Sequence, residues 1–329
     1  MGKDFAERRN DRVHRTLPTF PTCRPRRVNS RRKRIFVHEF LQERIAQWEG
    51  DGSLIQASQL FRRMDVLDQL DAWFPFPDAP DSESSPATAE LQRRAKAICA
   101  RLEAANSAQY HSIRHEIQQG LCPEMFLHLM EQSNSNDGAI RPICGIGYDH
   151  LDQLISGVFD LDEPSGEPVH IGPENVFYQP TPARHIFALI AAGALSTDDV
   201  FVDLGSGLGH VPLLVSICTG ARAIGVELEP SFVASAERCA QKLNLKGVTF
   251  VQQDARDADL SGGTVFYFYT PFTGSILRTV LNSLRNEAAK RPIRVCTFGP
   301  CTRTVAQEPW LEPGMILETD QVIVFIARR

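Results

Sequence analysis

Several features that would assign a protein to a common class are missing from this 329-residue sequence. No apolar run approaches the roughly 18 residues that are needed to cross a bilayer, and the first residues lack the apolar core of a secretory signal. The eight cysteines form no C-x-x-C pair, and none has a histidine at zinc-ligand spacing. These absences favour a cytoplasmic protein with reduced thiols, no membrane partner and no obligatory metal.

Excess positive charge is confined to the start of the chain. Residues 1–34 contain 12 Lys and Arg against 3 Asp and Glu, a net charge of +9, whereas the rest of the chain has a net charge of −14. The basic segment has several prolines and little periodic apolar content, which predicts a disordered tail. Such a tail is suited to contacting nucleic-acid phosphates or an acidic surface, or to folding onto the acidic body as a solubilising arm.

Residues 35–165 carry apolar side chains at helical spacing, with a last stripe from Tyr148 to Phe159. Within this range, residues 75–86 contain four prolines among acids and serines, which predicts a linker or a long surface loop. No internal repeat is visible. We therefore expect an all-helical accessory region between the basic tail and a further domain at residues 166–329.

The stretch from Val200 to His210 reads V-F-V-D-L-G-S-G-L-G-H, and the rest of the chain is organised around it. A buried strand leads into a glycine-rich turn and then a helix, which is typical of a nucleotide-cofactor cradle. Glycines at alternate positions admit positive φ and leave no Cβ between the backbone and a ligand. The G-x-G-x-x-G spacing of dinucleotide-binding proteins is absent. Asp203 would repel a pyrophosphate, but it would attract the ammonium group of S-adenosylmethionine.

This pattern resembles the class I S-adenosylmethionine-dependent methyltransferases over residues 174–329. Residues 203–209 match their first motif, and a second short strand ends in an acid, Glu227, 24 residues after Asp203. A third strand is followed by Asp254, and a fourth opens towards the substrate side. The resemblance implies that S-adenosylmethionine is the cofactor, with its ribose hydroxyls on Glu227 and its adenine amino group on Asp254.

The fold class that the resemblance implies is α/β, a Rossmann-like seven-stranded class I methyltransferase sheet with an N-terminal all-helical accessory region. We expect an antiparallel last strand, in a hairpin built from the alternating runs at 315–318 and 321–327. In this family, helical additions lie over the cofactor pocket or contact the substrate. The implied cofactor-binding residues are Tyr178, Thr181, Asp203, Gly205, Ser206, Gly207, Gly209, Glu227, Asp254, Ala255 and Tyr269.

A narrower resemblance begins at Tyr178, in a Y-x-P-T-P sequence before the glycine loop. It is similar to the protein-lysine methyltransferases related to the disruptor-of-telomeric-silencing histone enzymes, which have a Tyr-x-Pro segment and a first motif like F-V-D-L-G-S-G. The resemblance implies that Tyr178 and Thr181 close over the methionine end of the cofactor. The same residues also predict a simple helix start, with Thr181 as the N-cap and Pro182 as the first helical residue.

The fourth motif departs from those enzymes. They have an Asn-Asn-Phe sequence at the acceptor channel, whereas residues 269–272 read Y-T-P-F here, and the N/D-P-P-Y sequence of enzymes that methylate planar amides is absent. A hydroxyl between aromatic walls suits a lysine amine that loses its proton in an apolar channel. It equally suits a phenol or an amine of a small molecule. The candidate catalytic residues are Tyr178, Tyr269 and Thr270, and His210 is interpreted as structural.

Three functions stay open at this point. The first is an enzyme that transfers a methyl group to an amine or hydroxyl acceptor, with a protein lysine as the leading acceptor. The second is an N- or O-methyltransferase of a metabolite or natural product, with the helical region as a lid. The third is a non-catalytic module that binds nucleic acid through residues 1–34. The intact motifs favour an enzyme, but no motif identifies the acceptor or the oligomeric state.

Overall fold

The computed structural model describes residues 30–74, 86–134, 147–162, 164, 172–314 and 320–328. Residues 1–29 of the predicted basic tail lie outside the described residues. The predicted linker lies outside them from 75 to 85. No helix within the described ranges is both long and apolar enough to cross a membrane.

The N-terminal part of the chain is helical, as predicted. Its helices are α1 (Ser30–Gly50), α2 (Leu60–Trp73), α3 (Pro86–Gln118), α4 (Glu124–Asn134) and α5 (His150–Phe159). Two short 3₁₀ turns, Gly52–Ile55 and Ala57–Gln59, lie between α1 and α2. Helix α5 begins with a capping box formed by Asp149 and Asp152, which satisfies backbone N–H groups at the helix start.

Two compact units divide the chain, residues 1–51 with 77–98 and residues 52–76 with 99–329. In the first unit, Arg94 of α3 makes two hydrogen bonds to the Glu49 carboxylate at 2.9 and 2.6 Å. In the second, the fully buried Arg63 of α2 donates to the Asn106 side chain of α3 at 2.7 Å. This division crosses α3, and the predicted domain boundaries after residues 34 and 165 stay predictions.

The C-terminal part is a sheet flanked by helices. Its elements are α6 (Ala183–Ala192), β1 (Val200–Leu204), α7 (His210–Thr219), β2 (Arg222–Glu227), α8 (Pro230–Lys242), β3 (Val248–Gln252), β4 (Val265–Phe268), α9 (Gly274–Ala288), β5 (Arg294–Thr297), α10 (Cys301–Val305), β6 (Leu311–Pro313) and β7 (Ile323–Ala327). The strand order is β3-β2-β1-β4-β5-β7-β6. Strands β1 to β5 are parallel, and β7 is antiparallel to both neighbours. The predicted seven-stranded sheet is confirmed.

The last strand of the sheet lies where the alternating pattern predicts it. Strand β7 pairs with Leu311–Pro313, upstream of the run expected at 315–318. Residues 315–319 lie outside the described residues. The alternating pattern therefore located β7 correctly, and the pairing of residues 315–318 stays a prediction.

The register of the sheet positions the glycine loop. Asp203, near the carboxyl end of β1, lies opposite Gly225 of β2 and Tyr267 of β4. The strand order reverses between β1 and β4, and ligands of α/β sheets bind at the carboxyl ends of strands beside such a reversal. Buried apolar side chains cover both faces of the sheet, with α6, α7 and α8 on one face and α9 and α10 on the other.

The start of α6 differs from the prediction by one residue. Pro182 occupies the N-cap position, and α6 begins at Ala183. The Ala183 N–H donates to the Asp152 carboxylate of α5 at 2.7 Å. The Thr181 hydroxyl instead lies 3.0 Å from the Tyr267 hydroxyl. The predicted N-cap role of Thr181 is wrong, because partners from α5 and β4 replace the local cap.

Candidate active site

The turn between β1 and α7 is formed by three glycines with positive φ. Gly205, Gly207 and Gly209 have φ angles of 92°, 53° and 82°. The backbone N–H groups of Gly205 and Ser206 donate to one carbonyl of β2 at 2.8 and 3.1 Å, which fixes the loop to the sheet. A Cβ on Gly207 would lie 2.0 Å from Cε2 of Tyr178, so only glycine fits beneath that ring.

A cavity of about 610 Å³ opens beside this loop. Its volume is in the range of small-molecule and cofactor sites. The predicted site residues that line it are Tyr178, Thr181, Asp203, Gly205, Ser206, Glu227, Asp254, Ala255, Tyr269 and Thr270. Gly207 and Gly209 shape the loop without lining the cavity. The fold therefore brings the predicted residues from five separate segments to one place.

Asp203 is a buried carboxylate on the cavity wall. It is 2% exposed, and no described residue donates a hydrogen bond to its side chain. Burial and the nearby Glu227 carboxylate raise the pKa of Asp203 well above its usual value. A buried carboxylate without a partner is costly, so this position favours a ligand that brings a cationic hydrogen-bond donor.

Glu227, at the tip of β2, is held by backbone donors. One carboxylate oxygen accepts from the Gly207 N–H at 2.8 Å. The other accepts from the N–H groups of Leu228 and Glu229 at 2.7 and 2.9 Å. A carboxylate offers about four acceptor positions, so one position is left for a ligand hydroxyl. The predicted contact with both ribose hydroxyls requires one of these backbone bonds to give way.

Asp254 and Ala255 line the cavity beyond the end of β3. The Arg256 guanidinium donates to both oxygens of Asp254 at 3.0 and 2.7 Å. These bonds, ahead of the opposing effect of burial, lower the pKa of Asp254, so its carboxylate is charged at neutral pH. The predicted contact of Asp254 with an adenine amino group stays a prediction, and it would share the carboxylate with Arg256.

Tyr178 is fixed to the cavity by contacts along its segment. The neighbouring Val176 N–H donates to the Pro271 carbonyl at 3.0 Å. The Tyr178 ring packs on Phe232 with 4.9 Å between ring centroids, and its hydroxyl lies 3.4 Å from Nδ1 of His210. Desolvation raises the pKa of Tyr178 and lowers the pKa of His210 to about 4. Both side chains are therefore uncharged at neutral pH.

Tyr269 and Thr270 follow β4 and differ in how their hydroxyls are used. The Tyr269 ring packs on Phe298 at 4.7 Å between centroids, and no described residue hydrogen-bonds its hydroxyl. The Thr270 hydroxyl accepts from the Cys301 N–H at 3.1 Å and donates to the Phe298 carbonyl at 3.3 Å. Thr270 also has φ of 43°, which is unusual for a β-branched residue. Its hydroxyl therefore supports the loop, whereas the Tyr269 hydroxyl is free for a ligand.

Sequence reasoning missed several residues of the cavity. They include Gln179, Phe232, Tyr267, Phe272 and Pro300. Tyr267 and Phe272 lie in the same fourth strand motif as Tyr269, and their closeness to Tyr269 in the sequence is the signal that could have found them. Phe232 and Pro300 stand near the starts of α8 and α10, and no local pattern connects them with the glycine loop. Only the packing of those helices brings them to the cavity.

Comparison with known families shows what the segment around this cavity is similar to. Residues 174–255 match the sequence model of the family described as "Histone methylation protein DOT1". The match begins at Glu174, includes Tyr178 and the glycine loop, and ends at Ala255. The match supports a class I S-adenosylmethionine-dependent methyltransferase with a DOT1-like segment at residues 174–255. The interpretation as a non-catalytic nucleic-acid-binding module is therefore disfavoured. No curated protein matches the chain.

Three solved structures illustrate the structural similarity. An RNA methyltransferase from Salinibacter ruber in complex with S-adenosyl-L-homocysteine is 25% identical, with 45% of this chain and 92% of that chain covered and a TM-score of 0.38. The precorrin-6y C5,15-methyltransferase from Geobacter metallireducens is 17% identical, with 47% and 93% covered and a TM-score of 0.37. The human methyltransferase 10 domain containing protein is 13% identical, with 54% and 93% covered and a TM-score of 0.39.

The residues of the cavity fit the cofactor of the methyltransferase, S-adenosylmethionine. The unpaired Asp203 carboxylate suits its ammonium group, and the free acceptor position of Glu227 suits a ribose hydroxyl. A Cβ on Gly205 would lie 2.3 Å from Cβ of Pro271, so only glycine fits at this position of the loop. The individual roles of these side chains stay proposals.

Proposed function

We propose that this methyltransferase transfers the methyl group to the side-chain nitrogen of lysine residues in a protein. The observation that carries the proposal is the similarity of residues 174–255 to a family described by histone methylation. The wall that follows β4 supports it, because residues 269–272 present Tyr269 and Phe272 and no carboxamide of the kind that holds a planar amide.

The residues of the chain have separate tasks in this reaction. The cofactor supplies a methyl group activated by its sulfonium sulfur. Asp203 and Glu227 hold the cofactor by its charged and hydroxyl groups, and Tyr178 and Thr181 cover its methionine end. A lysine amine must be neutral to attack, and an apolar aromatic channel lowers the pKa of the amine. Tyr269 orients the acceptor nitrogen with its free hydroxyl, so alignment and exclusion of water supply most of the catalysis.

Thr270 has a different task from the one expected of a catalytic hydroxyl. Its bonds to Cys301 and Phe298 hold the loop that carries Tyr269. We therefore assign Thr270 to positioning and keep Tyr178 and Tyr269 as the residues that contact the reacting groups.

The test is transfer of label from methyl-labelled S-adenosylmethionine to a mixture of lysine-rich proteins. Asp203→Ala is the inactive variant, and Asp198→Ala, an exposed acid outside the cavity, is its matched control. We expect label on lysine side chains with the wild type and the control only. Label that appears solely in a small-molecule fraction of cell extract would replace this proposal by a metabolite methyltransferase. Absence of both label and cofactor binding would overturn the enzyme itself.

Two further proposals rest on composition. We propose that the protein works in the cytoplasm, because its thiols show no disulfide or metal pattern.

We also propose that residues 1–34 contact an acidic surface or nucleic acid, because they carry a net charge of +9. Removal of residues 1–29 should then weaken binding of the acceptor at low salt and leave cofactor affinity unchanged.

A further inference from the structure

A second cavity, of about 900 Å³, adjoins the cofactor cavity. Four residues line both cavities: Gln179, Pro180, Thr181 and His210. The remaining walls come from α2, from α5 with the two residues before it, and from the start of α6. Because α2 and α5 precede residue 174, most of this cavity lies outside the DOT1-like range. The two cavities meet beside Tyr178 and Thr181, where the methionine end of the cofactor is proposed to lie.

The charged side chains of the second cavity are mainly acidic. Asp68, Asp149 and Asp152 line it, and no Lys or Arg is among its described lining residues. Asp149 is paired with Arg184 at 3.0 Å, which offsets its charge. Asp68 keeps 58% of its side-chain surface in solvent and stands opposite His150 at 3.0 Å. The outer part of the cavity, on α2, therefore carries the negative potential.

His150 connects this acidic edge with α5. Its ring also lies 3.6 Å from the Asp65 carboxylate, whose side chain is 62% exposed. One imidazole thus faces two carboxylates, so the edge keeps a net negative charge even when His150 is protonated. A potential of this sign concentrates cations at the mouth of a cleft.

Aromatic groups and a free amide stand where the cavities meet. The Tyr148 hydroxyl donates to the Pro180 carbonyl at 2.9 Å. Burial and, to a smaller extent, the nearby Tyr148 raise the pKa of both Tyr178 and Tyr269, so the three phenol groups lie near one another. Aromatic faces attract ammonium groups. Gln179 is exposed there, and no described residue hydrogen-bonds its amide.

We propose that the second cavity is the route by which the methyl acceptor reaches the cofactor, that it admits a primary alkylammonium group, and that Asp68 and Gln179 select it. This inference rests on the proposed amine methylation. The ammonium enters past Asp68, gives one proton to solvent at the aromatic junction, and presents a neutral nitrogen. Gln179 then accepts an N–H of the neutral amine. The new N–C bond forms as the S–C bond of the cofactor breaks.

The first test separates binding of the acceptor from binding of the cofactor. Asp68→Lys and Gln179→Ala are compared with Asp71→Lys, an exposed acid of α2 that does not line the cavity. The acceptors are a lysine-containing peptide and, separately, spermidine. We expect Asp68→Lys to raise KM for the methylated amine about tenfold at low salt, with the effect reduced in 0.5 M salt by screening. Gln179→Ala should raise KM without salt dependence. In Asp68→Lys, the values of kcat, the cofactor Kd and the melting temperature should stay close to wild type.

The outcomes distinguish the two proposals. Methylation of spermidine with the expected KM changes, and none of the peptide, would support the route and overturn the protein acceptor. Methylation of the peptide with KM unchanged in Asp68→Lys and Gln179→Ala would overturn the route and leave the proposed function in place. An equal change in Asp71→Lys would also overturn the route, because the effect would then follow overall charge.

A second test does not depend on turnover. Gln179→Cys is treated with 2-aminoethyl methanethiosulfonate or with its anionic analogue, 2-sulfonatoethyl methanethiosulfonate, and labelling of position 179 is followed by peptide mass. Each reagent forms a mixed disulfide with the thiolate and releases methanesulfinate. The labelling rate of each reagent is divided by its rate with free cysteine. We expect this relative rate to be higher for the cationic reagent than for the anionic one, and we expect Asp68→Lys to remove the difference. Equal relative rates for the two reagents would overturn the proposed route even if no acceptor is methylated.

Discussion

The ring of Tyr178 lies directly over Gly207, at a separation that leaves no room for a Cβ. This contact joins the segment before α6 to the loop between β1 and α7. The Tyr178 hydroxyl adds a second connection, because it lies 3.4 Å from His210, the first residue of α7. The two walls of the cavity that carry Tyr178 and the glycine loop are therefore positioned against each other.

This relationship predicts the effect of Gly207→Ala. The new methyl group would displace Tyr178, and a non-glycine residue at positive φ costs about 1–2 kcal/mol. We expect cofactor affinity to fall by about tenfold or more, since 1.4 kcal/mol corresponds to a factor of ten. Titration calorimetry with S-adenosylmethionine measures this affinity. The control is Gly262→Ala, where a Cβ meets nothing within 4 Å. Normal cofactor binding by Gly207→Ala would show that the packing of Tyr178 is dispensable.

Binding of the cofactor should release a proton from Asp203. Its raised pKa widens the pH range in which it holds a proton in the cofactor-free protein, and an ammonium group favours the charged carboxylate. Affinity should therefore rise with pH until Asp203 is ionised without ligand. Calorimetry in two buffers with different ionisation enthalpies measures the number of protons released. Asp203→Asn should bind weakly and release none; unchanged proton release in that variant would assign the proton to another group.

The same carboxyl makes the stability of the cofactor-free protein depend on pH. In the unfolded chain Asp203 ionises at its usual pKa of about 4, whereas the folded protein holds the proton to higher pH. The folded state binds more protons in that window, so stability falls as pH rises through it. Urea unfolding at several pH values should show this decline, reduced in Asp203→Asn. An identical pH profile for both proteins would contradict the raised pKa.

Glu227→Gln should weaken both the fold and the site. The amide replaces one acceptor oxygen with a donor that faces the backbone N–H of Gly207 or of Leu228. Leaving such a donor without a partner costs about 1–3 kcal/mol, and a ribose hydroxyl loses its acceptor. Urea unfolding and cofactor titration measure the two effects. Glu237→Gln, an exposed acid of α8, should change neither.

Thr270 variants should separate a supporting hydroxyl from a catalytic one. Thr270→Ser retains a hydroxyl for the Cys301 N–H and should keep activity and stability close to wild type. Thr270→Val leaves that buried N–H without an acceptor, which costs about 1–3 kcal/mol of stability. The activity of Thr270→Val should decline because Tyr269 is misplaced. It should return in part at a lower temperature or with a stabilising osmolyte. A fully stable Thr270→Val protein without activity would instead assign the hydroxyl to catalysis.

Local patterns were enough to predict the fold and a set of residues that line one cavity. Strand, glycine turn and helix around Asp203, followed by an acid at Glu227, are short-range signals with fixed spacing, because each residue acts within its own strand and turn. The seven-stranded sheet follows from such units, since parallel strands with crossover helices have few arrangements. Residues 174–255 carried enough of these signals to match a known family.

Contacts between segments that are far apart in the sequence could be found only from the tertiary structure. The sequence predicts Thr181 as a helix cap, whereas packing gives its hydroxyl to Tyr267 and leaves Asp152 to bind the Ala183 N–H. The second cavity has the same origin, since Asp68 and Gln179 are more than a hundred positions apart and share no periodicity. Sequence spacing determines which groups a strand or turn presents. Only the packing of the elements decides which groups meet, because side-chain contacts between elements depend on shape and on competing partners.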